Sequence, residues 1–110
     1  AEQLEVIRQV HLFLTEHLDS RITIEQLSRQ FLMNPSTMKE LFKEVYGSSI
    51  AAHIRQHRME RASALLLESD ASVAQIARTV GYESQSKFTS EFKKAFSMLP
   101  TEYRRLHKQA

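Results

Sequence analysis

The sequence contains no cysteine. Disulfide frameworks, thiolate zinc sites and cysteine nucleophiles are therefore excluded. That composition suits a reducing compartment, and a cytoplasmic location is the expectation. Glycine and proline are scarce, at two each in 110 residues. A sandwich or barrel of short strands needs more turn residues, so the composition favours helices. With only Gly47 and Gly81, no phosphate-binding glycine loop can be built. No apolar run approaches the roughly 20 residues of a membrane span. The start, Ala1-Glu2-Gln3-Leu4, lacks the basic-then-apolar pattern of a secretory signal. It also lacks an initiator Met, and a fragment of a longer protein is expected.

What is present belongs to a globular chain of one domain's length, or two very small lobes. Its charge is uneven. Residues 1–20 hold one Arg against four acids, net −3, whereas residues 21–110 hold 14 Lys and Arg against nine acids, net +5. The basic excess is a mild pointer to a polyanionic partner.

Apolar periodicity and caps predict about seven helices and an all-α fold. Leu4, Ile7, Val10, Leu14 and Leu18 recur at three- and four-residue steps over residues 2–18. Thr23 with Gln26 reads as a capping box opening a short helix that carries Leu27 and Phe31. Asn34-Pro35 starts a third helix, with Met38, Leu41, Phe42 and Val45 as its buried face and Gly47 at its end. Ser48 or Ser49 caps a fourth, running to about Glu68, with Ile50, Ile54, Ala62, Leu65 and Leu66 on one side. Ser72 with Gln75 makes a second capping box, before Val73, Ile76 and Val80. Ser84 opens a sixth helix on Phe88, Phe92 and Phe96, and Pro100 a short last one with Tyr103 and Leu106.

Two stretches repeat. Leu27 matches Ile76 at an offset of 49, and Met38, Phe42 and Tyr46 match Phe88, Phe92 and Phe96 at an offset of 50. The one-residue difference falls in a turn, where slippage is cheap. Ser28 and Ala77 place small residues at matching points of the two shorter helices. Short helix, tight turn, polar-starting longer helix is helix-turn-helix grammar, here written twice. The expected organisation is a first lobe over 1–48, a linker helix over 49–68 and a second lobe over 69–110. A linker of that length is roughly 30 Å. Successive major grooves on one face of B-DNA are about 34 Å apart.

The residues Ile22-Thr23-Ile24-Glu25-Gln26-Leu27, Leu41-Phe42-Lys43 with Gly47, and Ile54, Arg58, Met59, Ala62, Leu65 and Leu66 form one half of a known pattern. Ile76-Ala77, Gly81-Tyr82, Ser84, Phe88, Phe92-Lys93, Phe96, Pro100 and Tyr103-Arg104 form the other. Over about residues 4–106 the chain resembles the DNA-binding domain of the AraC/XylS family of bacterial regulators. Two departures stand out. Ser97 replaces the usual Gly of that turn, which implies strain or another conformation, and Leu32 is large for the first turn.

The resemblance implies a duplicated, homeodomain-like fold that binds double-stranded DNA and regulates transcription by recruiting or blocking RNA polymerase. It implies no enzyme activity and no cofactor. Each reading helix must bury one face and show the other to the groove, reading with its N-terminal turns. Ser36, Thr37, Lys39 and Glu40 of the first motif are the base-facing candidates. Gln85, Ser86, Lys87 and Ser90 are those of the second. The lysines suit guanine O6 or N7, Gln85 adenine N6 and N7, and Glu40 cytosine N4. Lys43, Lys93 and Lys94 are phosphate candidates. Helix N-terminal amides near Thr23 and Ser72 could also hold phosphate.

Other readings weigh less. His53 and His57 are spaced to meet on one helix face, but the intervening residues lack the Glu of HExxH and no third ligand is evident. An exposed pair, with no metal, is expected. Arg58, near the apolar stripe, is expected to pair with an acid and tie the linker to a motif. No Ser, His and Asp spacing suggests a triad. The alternative to DNA binding is a helical protein-interaction module, which would show an exposed apolar patch on a reading helix. The fragment is expected to be monomeric, with any dimerising or effector domain elsewhere in a longer protein.

Overall fold

The computed structural model describes residues 2–108, and these form seven helices in two compact units divided between Arg55 and Gln56. In the first unit, α1 (Glu2–Glu16), α2 (Ile24–Phe31) and α3 (Pro35–Tyr46) enclose one core. Its fully buried members are Ile7, Val10 and Leu14 of α1, Leu27 of α2, and Met38 and Phe42 of α3. Each such side chain stabilises the fold by about 1.5–3 kcal/mol.

The caps explain the helix boundaries. Thr23 Oγ1 accepts the amide of Gln26 at 3.1 Å, so the Thr23 half of the first expected box is made. Asn34 Oδ1 accepts the amides of Ser36 at 2.8 Å and Thr37 at 3.4 Å, with Pro35 in the first helical position. Gly47 closes α3 at φ 79°, a left-handed backbone that glycine adopts without penalty. Leu32 closes α2 in the same region, at φ 51°, although it carries a side chain. The Ser28 hydroxyl donates to the Met33 carbonyl at 2.6 Å, tying α2 to the turn that follows it.

The second unit repeats the plan with α5 (Val73–Thr79), α6 (Gln85–Phe96) and α7 (Pro100–His107). Here both halves of the capping box form. Ser72 Oγ accepts from the Gln75 amide at 3.1 Å, and Gln75 Oε1 accepts from the Ser72 amide at 2.8 Å. Ser84 Oγ accepts the Lys87 amide at 3.2 Å at the start of α6. Ile76, Ala77, Val80, Phe88 and Phe92 fill the core. Tyr103 of α7 stands edge-on to Phe92, with ring centroids 5.4 Å apart. Ser97 is left-handed at φ 61°, so the usual glycine conformation is kept despite the side chain.

Helix α4 (Ile50–Glu68) begins in the first unit and ends in the second. Ser49, not Ser48, caps it, accepting the Ala52 amide at 3.1 Å. Its apolar residues serve two cores. Ile50 and Ile54 pack on the first core, whereas Met59, Ala62, Leu65 and Leu66 belong to the second. Beyond its end, Arg104 of α7 donates to the carbonyls of Leu66, Ser69 and Ala71 at 3.0, 3.2 and 2.7 Å.

Several apolar positions depart from the periodic reading. Leu4 is 40% exposed, Val45 43% and Leu106 64%, so none is core. Each lies toward an end of its helix. Helix α1 ends at Glu16, so Leu18 lies past it and is half-buried. Phe96 is half-buried, packed between Phe92 and Tyr103.

Candidate nucleic-acid interface

In each unit the second helix of the motif turns one face to the core and the other to solvent. On α3, Met38 and Phe42 are buried, and the same helix exposes Ser36, Lys39, Glu40, Lys43 and Glu44. Thr37 is half-buried, so of the four base-facing candidates there it has the least reach. On α6, Phe88 and Phe92 are buried, and Gln85, Ser86, Lys87, Ser90, Lys93 and Lys94 are all exposed. The spacing of core residues at four thus decides which polar residues project.

The charges on the two faces differ. Lys39 and Lys43 of α3 alternate with the exposed Glu40 and Glu44. On α6 the single acid, Glu91, has a side chain only 12% exposed and lies 3.5 Å from the Lys94 ammonium, which is 76% exposed. Thr23 and Ser72 each use the side chain to satisfy one first-turn amide, those of Gln26 and Gln75, leaving fewer for a phosphate.

Among the exposed cations that were not candidates, two occupy matching points of the two motifs. Arg29 and Arg78 sit in the last turns of α2 and α5, and both are exposed. The offset of 49 that pairs Leu27 with Ile76 also pairs these arginines, so the repeat itself was the signal.

The histidine pair is not on an open face. His53 and His57 are half-buried. His11 of α1 lies edge-on to His53 with centroids 4.8 Å apart, and stacks on Tyr46 at 4.3 Å. A third imidazole is therefore present, contrary to the reading of the sequence, because α1 packs against the start of α4. Arg58 lies over the Tyr82 ring, 5.4 Å from its centroid, tying α4 to the second motif by cation–π contact. Among the described residues, no helix is long and apolar enough to cross a membrane.

Comparison with known proteins places this geometry. A helix-turn-helix domain family matches residues 27–106. The HTH-type transcriptional regulator ExsA of Pseudomonas aeruginosa is 38% identical over 98 residues, covering 89% of this chain and 35% of that protein. The transcriptional regulator Rob of Salmonella typhimurium is 31% identical over 104 residues, covering 94% of this chain and 36% of that protein. The chain thus spans about a third of the length of these relatives. Among solved structures, the C-terminal domain of AraT, a response regulator from Geobacillus stearothermophilus, superposes with TM-score 0.91 at 28% identity, covering 96% of this chain and 88% of that one. The DNA-binding domain of AdpA, solved in complex with a target DNA, superposes with TM-score 0.87 at 26% identity, covering 92% of this chain and 91% of that one.

Proposed function

Because the chain belongs to the AraC/XylS family of helix-turn-helix DNA-binding domains, we propose that it binds double-stranded DNA sequence-specifically and regulates bacterial transcription. The observation that carries this reading is the pair of reading helices, each with a buried aromatic face and a polar, exposed N-terminal half. Two such helices in one chain supply two base-reading elements, and we assign them to successive major grooves. The lobes 1–48 and 69–110, with the linker 49–68, are the working parts. One chain suffices for both contacts, so the reading unit is a monomer.

Ser36, Lys39 and Glu40, with Thr37 in a lesser role, face bases from α3; Gln85, Ser86, Lys87 and Ser90 do so from α6. Lys43, Lys93 and Lys94 meet phosphates, and Arg29 and Arg78 join them. The protein performs no chemistry of its own; it acts in the cytoplasm by recruiting or blocking RNA polymerase.

The test is selection from random duplex DNA, sequencing of the winners and a salt titration of the best. The expected result is two short blocks about one helical turn, 10–10.5 base pairs, apart, with affinity falling steeply as salt rises. A single block would leave only one helix reading bases. No enrichment and no binding at low salt would overturn the reading and favour a protein-interaction module. Lys87→Ala should weaken binding to the selected site far more than to random duplex. Equal loss on both would make Lys87 a phosphate contact only.

A further inference from the structure

The two reading helices carry different fields. A phosphate approaching α3 meets two exposed cations, Lys39 and Lys43, and two exposed carboxylates, Glu40 and Glu44. Attraction and repulsion there largely cancel. A phosphate approaching α6 meets Lys87, Lys93 and Lys94, while the single carboxylate there, Glu91, is 12% exposed and already paired with Lys94 at 3.5 Å. The second helix therefore presents a cationic face with no exposed acid on it.

Chemistry sharpens the difference. An ionised carboxylate only accepts hydrogen bonds. In a groove, Glu40 gains a partner where an amino group is offered, as at cytosine N4. Opposite an acceptor-only edge it is desolvated and unpaired, which is costly. An acid on a DNA-facing surface thus lowers affinity for most sequences and keeps it for a few, which is how specificity is built by penalising wrong partners.

We infer that the two helices divide the work: α6 anchors the duplex through Lys93 and Lys94, and α3 selects it through Glu40 and Glu44, which reject sequences without a suitably placed amino group. This rests on the DNA-binding reading above. It makes Glu40 a specificity-determining residue that acts by rejection and assigns most of the salt-dependent affinity to the second unit.

The experiment compares the wild-type chain with the double variants Glu40→Gln/Glu44→Gln and Lys93→Gln/Lys94→Gln. All four positions are exposed, so the fold is kept, and a thermal melt of each variant verifies that. Fluorescence anisotropy measures binding to the selected duplex and to a random-sequence duplex, from about 50 to about 200 mM salt. Removing the two lysines should lower the slope of log affinity against log salt by about 1.8, at 0.9 per phosphate, equally on both duplexes. Over that salt range the affinity loss shrinks about 12-fold. Removing the two acids should tighten binding to random duplex and reduce the selected-to-random ratio by about 10-fold or more.

An unchanged slope for the lysine variant overturns the inference, as does weaker random-duplex binding by the glutamine variant of α3. If the wild-type chain binds duplex DNA with a steep salt dependence and these variants do not separate, only the division of work falls. If the wild-type chain binds no duplex at all, the DNA-binding reading falls and takes this inference with it.

Discussion

Removing Arg104 should loosen two helix ends at once. Its guanidinium donates to three carbonyls, those of Leu66, Ser69 and Ala71, at 3.0, 3.2 and 2.7 Å. The first two lie at and just past the C-terminal turn of α4, where carbonyls lack helical partners. The third lies immediately before Ser72, the N-cap of α5. One planar fork thus holds the end of one helix and the start of the next. A hydrogen bond from a charged donor contributes about 1.5–3 kcal/mol. The site is only part-buried, and water would re-solvate some carbonyls, so Arg104→Met should cost about 3 kcal/mol in all rather than the full sum. In a domain of this size that lowers the melting temperature by roughly 12–24 °C, at about 4–8 °C per kcal/mol. Arg104→Lys keeps the charge but cannot span three acceptors, and should recover a third of the loss at most. Differential scanning calorimetry reads both. A loss below about 1 kcal/mol, or a lysine variant as stable as wild type, would refute the clamp.

Leu32→Gly should stabilise the chain by about 0.5–1 kcal/mol, because left-handed backbone strains a residue with a Cβ, at about 1–2 kcal/mol. With Leu32 91% exposed, little packing is lost, and a melting temperature at or below wild type would contradict this. Phe92→Ala should cost about 3–5 kcal/mol, since Phe92 is 0% exposed and touches Phe88, Phe96 and Tyr103; unfolding in urea measures it, and a cost under about 1 kcal/mol would count against that core. The Lys108 ammonium, hydrogen-bonded to Asp70 at 2.6 Å, holds that carboxyl below the usual carboxylate range. A lowered folded value means that the contact's stabilisation is present above the unfolded value, about 3.9, and is lost as pH falls through the folded one. Titration of Asp70 by NMR should therefore show a low midpoint that rises in Lys108→Ala, and identical midpoints would remove the pair.

Much of this fold was legible because its determinants are local. A cap and the amide it serves lie two or three residues apart, so Thr23, Asn34, Ser72 and Ser84 could be found without tertiary information. The buried aromatics of α6 recur at four-residue steps, and the polar face follows by exclusion. The repeat at offsets of 49 and 50 then turned two weak local patterns into one strong one. It also carried more than was taken from it, since it pairs Arg29 with Arg78.

What was not legible depends on residues far apart in the chain. Val45 continues the periodic stripe of α3, yet it is 43% exposed while Tyr46 beside it stacks on His11. The clamp joins Arg104 to residues 33–38 positions away, a separation at which no spacing rule operates. No spacing in the sequence links His11 to other rings, and only the packing of α1 sets it against Tyr46 and His53. The candidate interface falls between these cases. Which residues project from α3 and α6 is a local matter of helical period. How strongly each face attracts a phosphate is not local, because Glu91 counts as an acid in the sequence but is withdrawn beside Lys94 in the fold. Summing formal charge along the two helices therefore misses which cations already have an acid beside them, and the salt slope lost in Lys93→Gln/Lys94→Gln measures what those two lysines still offer a phosphate.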